Sequence, residues 1–72
     1  MEALLVDFAR NLKNLRQRKD LSLRELSNAT HISRAALNEY ERGMTDPSLS
    51  NLIKIARYFG VSVNWLIGEG DG

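Results

Sequence analysis

Apolar residues recur at helical spacing near the start of the chain. Leu5, Phe8, Leu12 and Leu15 are three or four positions apart, so a helix places them along one face. Most residues between them are polar or charged. The pattern predicts a first helix over residues 4–18 with this apolar face buried.

The rest of the chain repeats one local pattern. A serine follows a residue that can pack and precedes a leucine by four positions, and this occurs at Ser22, Ser33, Ser48 and Ser62. A serine hydroxyl at a helix N-cap accepts a hydrogen bond from a free N–H of the first turn. Glu25 also completes a capping box with Ser22. Four further helix starts are therefore predicted.

Two glycines stand where the third and fourth helices should end. Gly43 and Gly60 can adopt the left-handed conformation that terminates a helix. The buried stripe predicted for the fourth helix consists of Leu49, Leu52, Ala56 and Phe59.

These patterns predict an all-α fold, since no alternating run is long enough for a strand. The predicted helices span residues 4–18, 23–29, 34–42, 49–59 and 63–67. A chain of 72 residues forms one domain at most. We expect that domain to cover residues 1–68, and residues 69–72 to be a flexible tail or the start of a linker.

Composition narrows the class of protein. The chain has no cysteine, which excludes disulfides and cysteine-ligated metals. It also has no apolar run long enough to span a membrane. We therefore expect a cytoplasmic protein. The net charge is only +1, but residues 10–34 hold seven Lys and Arg against two Asp and Glu, a local excess of five positive charges. A basic region of this kind indicates either a nucleic-acid partner or a solvated helix face.

The second and third predicted helices are joined by a short turn, which is the layout of a helix-turn-helix. In such a unit the first helix crosses the DNA backbone, and the second presents its exposed early residues to base edges in the major groove. On the third helix, Leu37 and Glu41 share one face. The opposite face consists of Arg34, Ala35, Asn38 and Glu39.

The chain resembles helix-turn-helix domains of the Cro/lambda-repressor type, also called XRE-like. The resemblance is carried by LSLRELSNATHISRAALNEYERG at residues 21–43 and PSLSNLIKIARYFGVSVNWLIG at residues 47–68, and it covers about residues 8–68. It implies a compact five-helix lambda-repressor-like fold with the helix-turn-helix formed by helices two and three. The resemblance implies that the protein binds double-stranded DNA sequence-specifically. Its implied role is that of a bacterial or phage transcriptional regulator, with repression as the expected mode.

By this resemblance the third helix contacts bases. Arg34 can donate to guanine O6 and N7, and Ala35 can meet a thymine methyl group. Asn38 can pair with adenine, and Glu39 can accept a hydrogen bond from cytosine N4. The alternatives are that Asn38 and Glu39 are merely solvated and that Arg34 holds a phosphate.

The resemblance also implies DNA phosphate contacts around both helices of the motif. These fall on Ser22, Leu23, Arg24, Ser33, Tyr40, Arg42 and Thr45. Leu23 departs from the family, which often has glutamine there. Either that backbone contact is lost, or Leu23 packs locally while Arg24 holds the phosphate.

Two further residue roles follow from the resemblance. Arg16 and Glu41 match a structural ion pair between the ends of the first and third helices. His31 stands where the family usually has glycine, in a turn with positive φ, and histidine is among the few other residues enriched in that conformation. We therefore expect His31 to form the turn, with a phosphate contact as the lesser alternative.

The fifth helix is short and apolar. Core packing is the favoured role for Trp65, and the alternative is a dimer contact by Val63, Trp65, Leu66 and Ile67. The family often pairs through its last helices, which places two reading helices about 34 Å apart, one DNA turn. The resemblance thus implies a homodimer on a pseudo-palindromic operator.

Nothing in the chain predicts catalysis. Ser33 and Glu25 are explained as caps, and a single histidine without cysteine or clustered carboxylates is a poor metal site. We expect no enzymatic activity, no metal and no cofactor. Two alternatives stay open: the DNA-binding part of a longer phage repressor or antitoxin with a second partner-binding domain, and a helical protein-interaction module without DNA activity.

Overall fold

The computed structural model describes residues 3–69, and this part of the chain folds into helices without any strand. The helices are α1 (Val6–Arg18), α2 (Leu23–Thr30), α3 (Arg34–Glu41), α4 (Leu49–Phe59) and α5 (Val63–Leu66). The predicted all-α, five-helix order is confirmed. Of the predicted tail, Glu69 donates its N–H to the Asn64 carbonyl at 2.7 Å, and residues 70–72 lie outside the described range.

The serine caps are all present. Ser22, Ser33, Ser48 and Ser62 each accept a hydrogen bond from the backbone N–H three residues on. The backbone N–H of Ser22 also donates to Glu25 Oε1 at 2.8 Å, which completes the predicted capping box. Gly43 and Gly60 both have φ of 70°, so the two helix ends predicted from glycine are confirmed.

The start of α1 differs from the prediction, because the helix begins at Val6 and not at residue 4. The carboxylate of Asp46 accepts hydrogen bonds from the N–H groups of Leu4 at 3.0 Å and Leu5 at 2.9 Å. These groups would otherwise be free at the helix start. Asp46 in the loop before α4 therefore holds Leu4 and Leu5 outside the helix.

The core is formed by side chains from every helix. Its fully buried members are Phe8, Leu12, Leu26, Leu37, Ile55 and Leu66. Leu5 and Leu15 pack against this core, so the apolar face predicted for the first helix is confirmed.

Leu49 corrects the buried stripe predicted for the fourth helix. Its side chain is 68% exposed, while Leu52, Ile55 and Ala56 are buried and Phe59 is partly buried. Leu49 is the first residue of α4 and lies outside the core. The inward face is instead completed by Ile55, one turn after Leu52.

The last helix docks through Leu66, which is fully buried. The Asn11 side-chain amide donates to the carbonyls of Trp65 at 3.2 Å and Leu66 at 3.1 Å. The Trp65 carbonyl also accepts a hydrogen bond from the Gly68 N–H at 3.1 Å, and Asn11 of α1 adds a donor to both carbonyls at the end of α5. In the described range, 3–69, no helix combines the length and apolar character needed to cross a membrane.

Candidate nucleic-acid interface

The turn between α2 and α3 is built around His31. This residue has φ 61° and ψ 31°, the left-handed conformation. Its N–H donates to the Ser27 carbonyl at 2.8 Å, and the Ser27 hydroxyl donates to the Ile32 carbonyl at 2.6 Å. Ile32 and Thr30 are buried on either side. The predicted role of His31 in the turn is confirmed, and this turn sets the direction in which α3 leaves.

α3 has one buried and one exposed face. Leu37 and Tyr40 pack in the core, where the Tyr40 ring meets Phe8 edge-on with ring centroids 5.6 Å apart. All four residues predicted to contact bases are exposed, namely Arg34, Ala35, Asn38 and Glu39. Their helical spacing places them together on the outer face. The structure therefore offers one continuous surface with a cation, a methyl group, an amide and a carboxylate.

An ion pair fixes the far end of α3. Arg16 Nε lies 2.6 Å from Glu41 Oε2, and Arg16 Nη2 donates to Glu41 Oε1 at 2.9 Å. Arg16 Nη1 also donates to the Leu21 carbonyl at 2.7 Å. The two side chains are only 16% and 7% exposed. One guanidinium therefore joins α1, the turn before α2 and the end of α3.

The same contacts act on the charge of Arg16. Its hydrogen bond with Glu41 raises the pKa of Arg16 above the ordinary value, with a further contribution from the charge of Glu41, while burial acts in the opposite direction. The guanidinium is thus held in its charged form. The predicted structural ion pair is present.

The residues predicted to contact phosphates fall into two groups. Ser22, Arg24, Ser33, Arg42 and Thr45 are exposed. Leu23 is partly buried against the core, which favours the alternative in which it packs locally and leaves the phosphate to Arg24.

Tyr40, like Leu23, is packed against the core rather than exposed. It is only 6% exposed, and its hydroxyl accepts a hydrogen bond from Asn51 Nδ2 at 2.8 Å. Its ring and its hydroxyl are both used in holding α3 against α1 and α4. The structure therefore gives Tyr40 a packing role.

Sequence reasoning missed two residues that position this surface. Asn51 ties α4 to α3 through Tyr40, and Asp46 ties the loop after α3 to the start of α1. Asn51 is a polar residue on an otherwise unremarkable first turn, and Asp46 before Pro47 resembles an ordinary turn residue. No local signal distinguishes either of them.

The apolar residues of α5 do not form one surface. Trp65 is 42% exposed, so its predicted packing in the core is wrong. Leu66 is fully buried, so the alternative of a dimer contact through Leu66 is wrong as well. Val63 and Ile67 are partly buried. α5 buries Leu66, and Trp65 is left at the surface.

Comparison with known proteins decides the family. The model of the helix-turn-helix family matches residues 12–66, most of the chain. The chain belongs to this family, in its Cro/lambda-repressor type. The matched range of the helix-turn-helix domain contains α2, the His31 turn, α3 and the Arg16–Glu41 pair. The family resemblance stated from sequence is confirmed.

Relatives of this helix-turn-helix domain are named as regulators. The HTH-type transcriptional regulator DdrOP3 of Deinococcus deserti is 39% identical over 56 residues, which cover 78% of this chain and 43% of that protein. The cryptic phage CTXphi transcriptional repressor RstR of Vibrio cholerae is 27% identical over 64 residues, covering 89% of this chain and 58% of RstR. The chain therefore spans about half the length of these relatives.

A solved structure shares the fold of this chain, and the shared part is nearly the whole of the solved protein. The restriction-modification controller protein C.AhdI of Aeromonas hydrophila superposes with a TM-score of 0.77 at 32% identity. The superposition covers 86% of this chain and 94% of C.AhdI. The fold class predicted from sequence is thus confirmed by structure.

Proposed function

We propose that this helix-turn-helix domain binds double-stranded DNA sequence-specifically and regulates transcription, as a repressor that occupies its operator. The observation that carries the proposal is the outer face of α3, where Arg34, Ala35, Asn38 and Glu39 are exposed together. The opposite face of α3 is held by the core and by the Arg16–Glu41 pair. In this fold, a rigid helix with an exposed polar face contacts the base edges in the major groove. Such a regulator acts in the cytoplasm.

The residue chemistry assigns a role to each side chain. Arg34 donates to guanine, Asn38 pairs with adenine, Glu39 accepts from cytosine and Ala35 meets a thymine methyl group. Exposed Arg24, Arg42 and Thr45 hold phosphates, together with the hydroxyls of Ser22 and Ser33 and the free N–H groups that open α2 and α3. Phosphate contacts provide salt-dependent affinity, and base contacts provide sequence choice.

Selection of duplexes from a random library tests this function. At physiological salt the wild-type domain should enrich one motif, and Arg34→Ala should lose preference at one base pair at a cost of about 1–3 kcal/mol in discrimination. Arg57→Ala is the matched control, because Arg57 is an exposed arginine on α4, outside the helix-turn-helix. Its motif should be unchanged. Absence of any enriched motif would refute sequence-specific binding, and an unchanged motif in Arg34→Ala would refute the role of Arg34.

We further propose that two copies bind a pseudo-palindromic operator. Trp65 supports this, because a large aromatic side chain that is 42% exposed is suited to a protein contact. Among Val63, Trp65, Leu66 and Ile67, Trp65 is the one whose large side chain is exposed, so we assign the contact to it. Two copies related by a two-fold axis would place their α3 helices on half-sites about 34 Å apart.

Sedimentation on DNA checks the pairing. The wild-type domain should occupy a full operator with two copies, and Trp65→Gln should bind the same duplex with one copy at concentrations where the wild type pairs. Binding to a half-site duplex should be equal for both proteins, which controls for folding and DNA contact. A single wild-type copy on the full operator would contradict pairing.

The lengths of DdrOP3 and RstR favour a larger protein context. Because the chain matches only 43% of DdrOP3 and 58% of RstR, we propose that a regulator of this type carries a second region that binds a partner or another copy. The helix-turn-helix domain would then supply operator choice, and the second region would supply regulation.

A further inference from the structure

An open groove runs between the outer side of α1 and the end of α3. Arg10 and Lys13 line it from α1, and Arg42 and Gly43 line it from the segment after α3. We call it the α1–α3 groove. Its lining also includes the apolar residues Ala3, Val6 and Ala9, together with Glu41.

The acidic groups near this groove are already occupied. Asp7 accepts a hydrogen bond from Arg10 at 2.7 Å, and the Glu41 carboxylate is held by Arg16. Asp46 accepts from two backbone N–H groups at the start of α1. Each of these carboxylates has a partner of its own.

The cations are not neutralised in the same way. Within residues 3–69 the ion pairs are Arg10–Asp7 and Arg16–Glu41, and neither involves Lys13 or Arg42. Both side chains are exposed. Among the described residues, the α1–α3 groove therefore presents two positive charges that have no ion-pair partner, which suits an anionic ligand.

The groove continues the surface of α3 that faces the bases. Arg34, Asn38 and Arg42 are four positions apart, so they follow one another along the same side of the helix. Arg42 is the C-cap of α3 and also lines the groove. DNA that lies along the outer face of α3 and continues past its end would meet Arg42 first and Lys13 next.

We propose that the α1–α3 groove binds the phosphate backbone of DNA outside the base pairs that α3 contacts, with Lys13 as a phosphate-binding residue that acts beside Arg42. The inference rests on the proposed function and extends it to flanking DNA. Phosphate contacts carry no direct sequence information, so the groove adds affinity without changing the motif.

The groove is held in shape by contacts that join its two walls. The Ala3 N–H donates to the Gly43 carbonyl at 3.0 Å, and Gly43 has φ of 70°, which glycine adopts without strain. Asp46 holds the next two residues of the same segment. Lys13 and Arg42 therefore project from a preformed surface, which reduces the ordering cost of binding.

Two duplexes test the inference. Both contain the motif selected by the wild-type domain, but one ends at the motif and the other extends by about one helical turn on each side. The wild type should bind the long duplex more tightly. Lys13→Gln should reduce the slope of log affinity against log salt by about 0.9 per bound copy on the long duplex, the value for one lost phosphate contact. On the short duplex its affinity should equal that of the wild type.

Lys54→Gln is the matched control, since Lys54 is an exposed lysine on α4 outside the groove. It should behave as the wild type on both duplexes. Equal wild-type affinity for the two duplexes would overturn the inference and leave the proposed function intact. Equal weakening of both duplexes by Lys13→Gln would also overturn it, because that pattern indicates general attraction. Failure to select any motif would overturn the proposed function and this inference together.

Discussion

Arg16→Ala should unfold at a much lower temperature than the wild-type domain. The substitution leaves Glu41, whose side chain is 7% exposed, without its guanidinium partner. It also frees the Leu21 carbonyl, which accepts from Arg16 at 2.7 Å. Loss of one member of a buried ion pair costs about 3–5 kcal/mol. Each kcal/mol corresponds to about 4–8 °C in a domain of this size.

Thermal and urea denaturation followed by circular dichroism measure this loss. Arg57→Ala should change the free energy of unfolding by less than about 0.5 kcal/mol, because Arg57 is exposed and in neither ion pair. The double variant Arg16→Met with Glu41→Leu should recover much of the lost stability, since no buried charge is left unpaired. An unchanged melting temperature with lost DNA affinity would show that Arg16 contacts DNA instead.

Leu66→Ala and Leu49→Ala should differ sharply although the chemical change is the same. Leu66 is fully buried where α5 docks, and Leu49 at the start of α4 is 68% exposed. Truncation of a buried leucine costs about 2–5 kcal/mol, because contacts are lost and a cavity is left. An exposed leucine loses little, so Leu49→Ala should stay within about 0.5 kcal/mol of the wild type.

Urea denaturation of the two variants provides the comparison, with each variant serving as the control for the other. A similar loss at both positions would mean that Leu49 packs in the core, as the apolar spacing of α4 had predicted. The difference matters for function, because Asn51 on the first turn of α4 holds Tyr40 beneath the outer face of α3. Leu66→Ala should therefore loosen the packing of α5 against the core and leave the Asn51–Tyr40 hydrogen bond between α4 and α3 in place.

Several features of the site were predictable because their cause is local. The N-cap of α3 needs only Ser33 and the N–H of Ala36, three residues away. The turn at His31 follows from the family resemblance, in which this residue replaces a glycine in the left-handed conformation, and φ of 61° confirms it. The outer face of α3 follows from helical periodicity once Leu37 is placed inside.

Other features depend on partners that are distant in the sequence. Asp46 reaches the N–H of Leu4, 42 residues earlier, and so moves the start of α1 to Val6. Asn11 reaches the carbonyl of Leu66, 55 residues later, and so helps to dock α5. A short apolar helix such as Val63–Leu66 has no periodicity long enough to choose its inward side. The core position predicted for Trp65 is therefore wrong, and the buried residue of this helix is Leu66.

The sequence by itself determined the five helices, their serine caps, the helix-turn-helix and the residues on the outer face of α3, because each depends on residues within about one or two helical turns. Tertiary structure alone decided that Trp65 stays exposed, that Leu49 lies outside the core, that Tyr40 is held by Asn51 and that Lys13 and Arg42 line one groove. These outcomes require two helices to meet at a given angle and depth. Packing of the whole core sets that geometry, and no short stretch of the chain contains it.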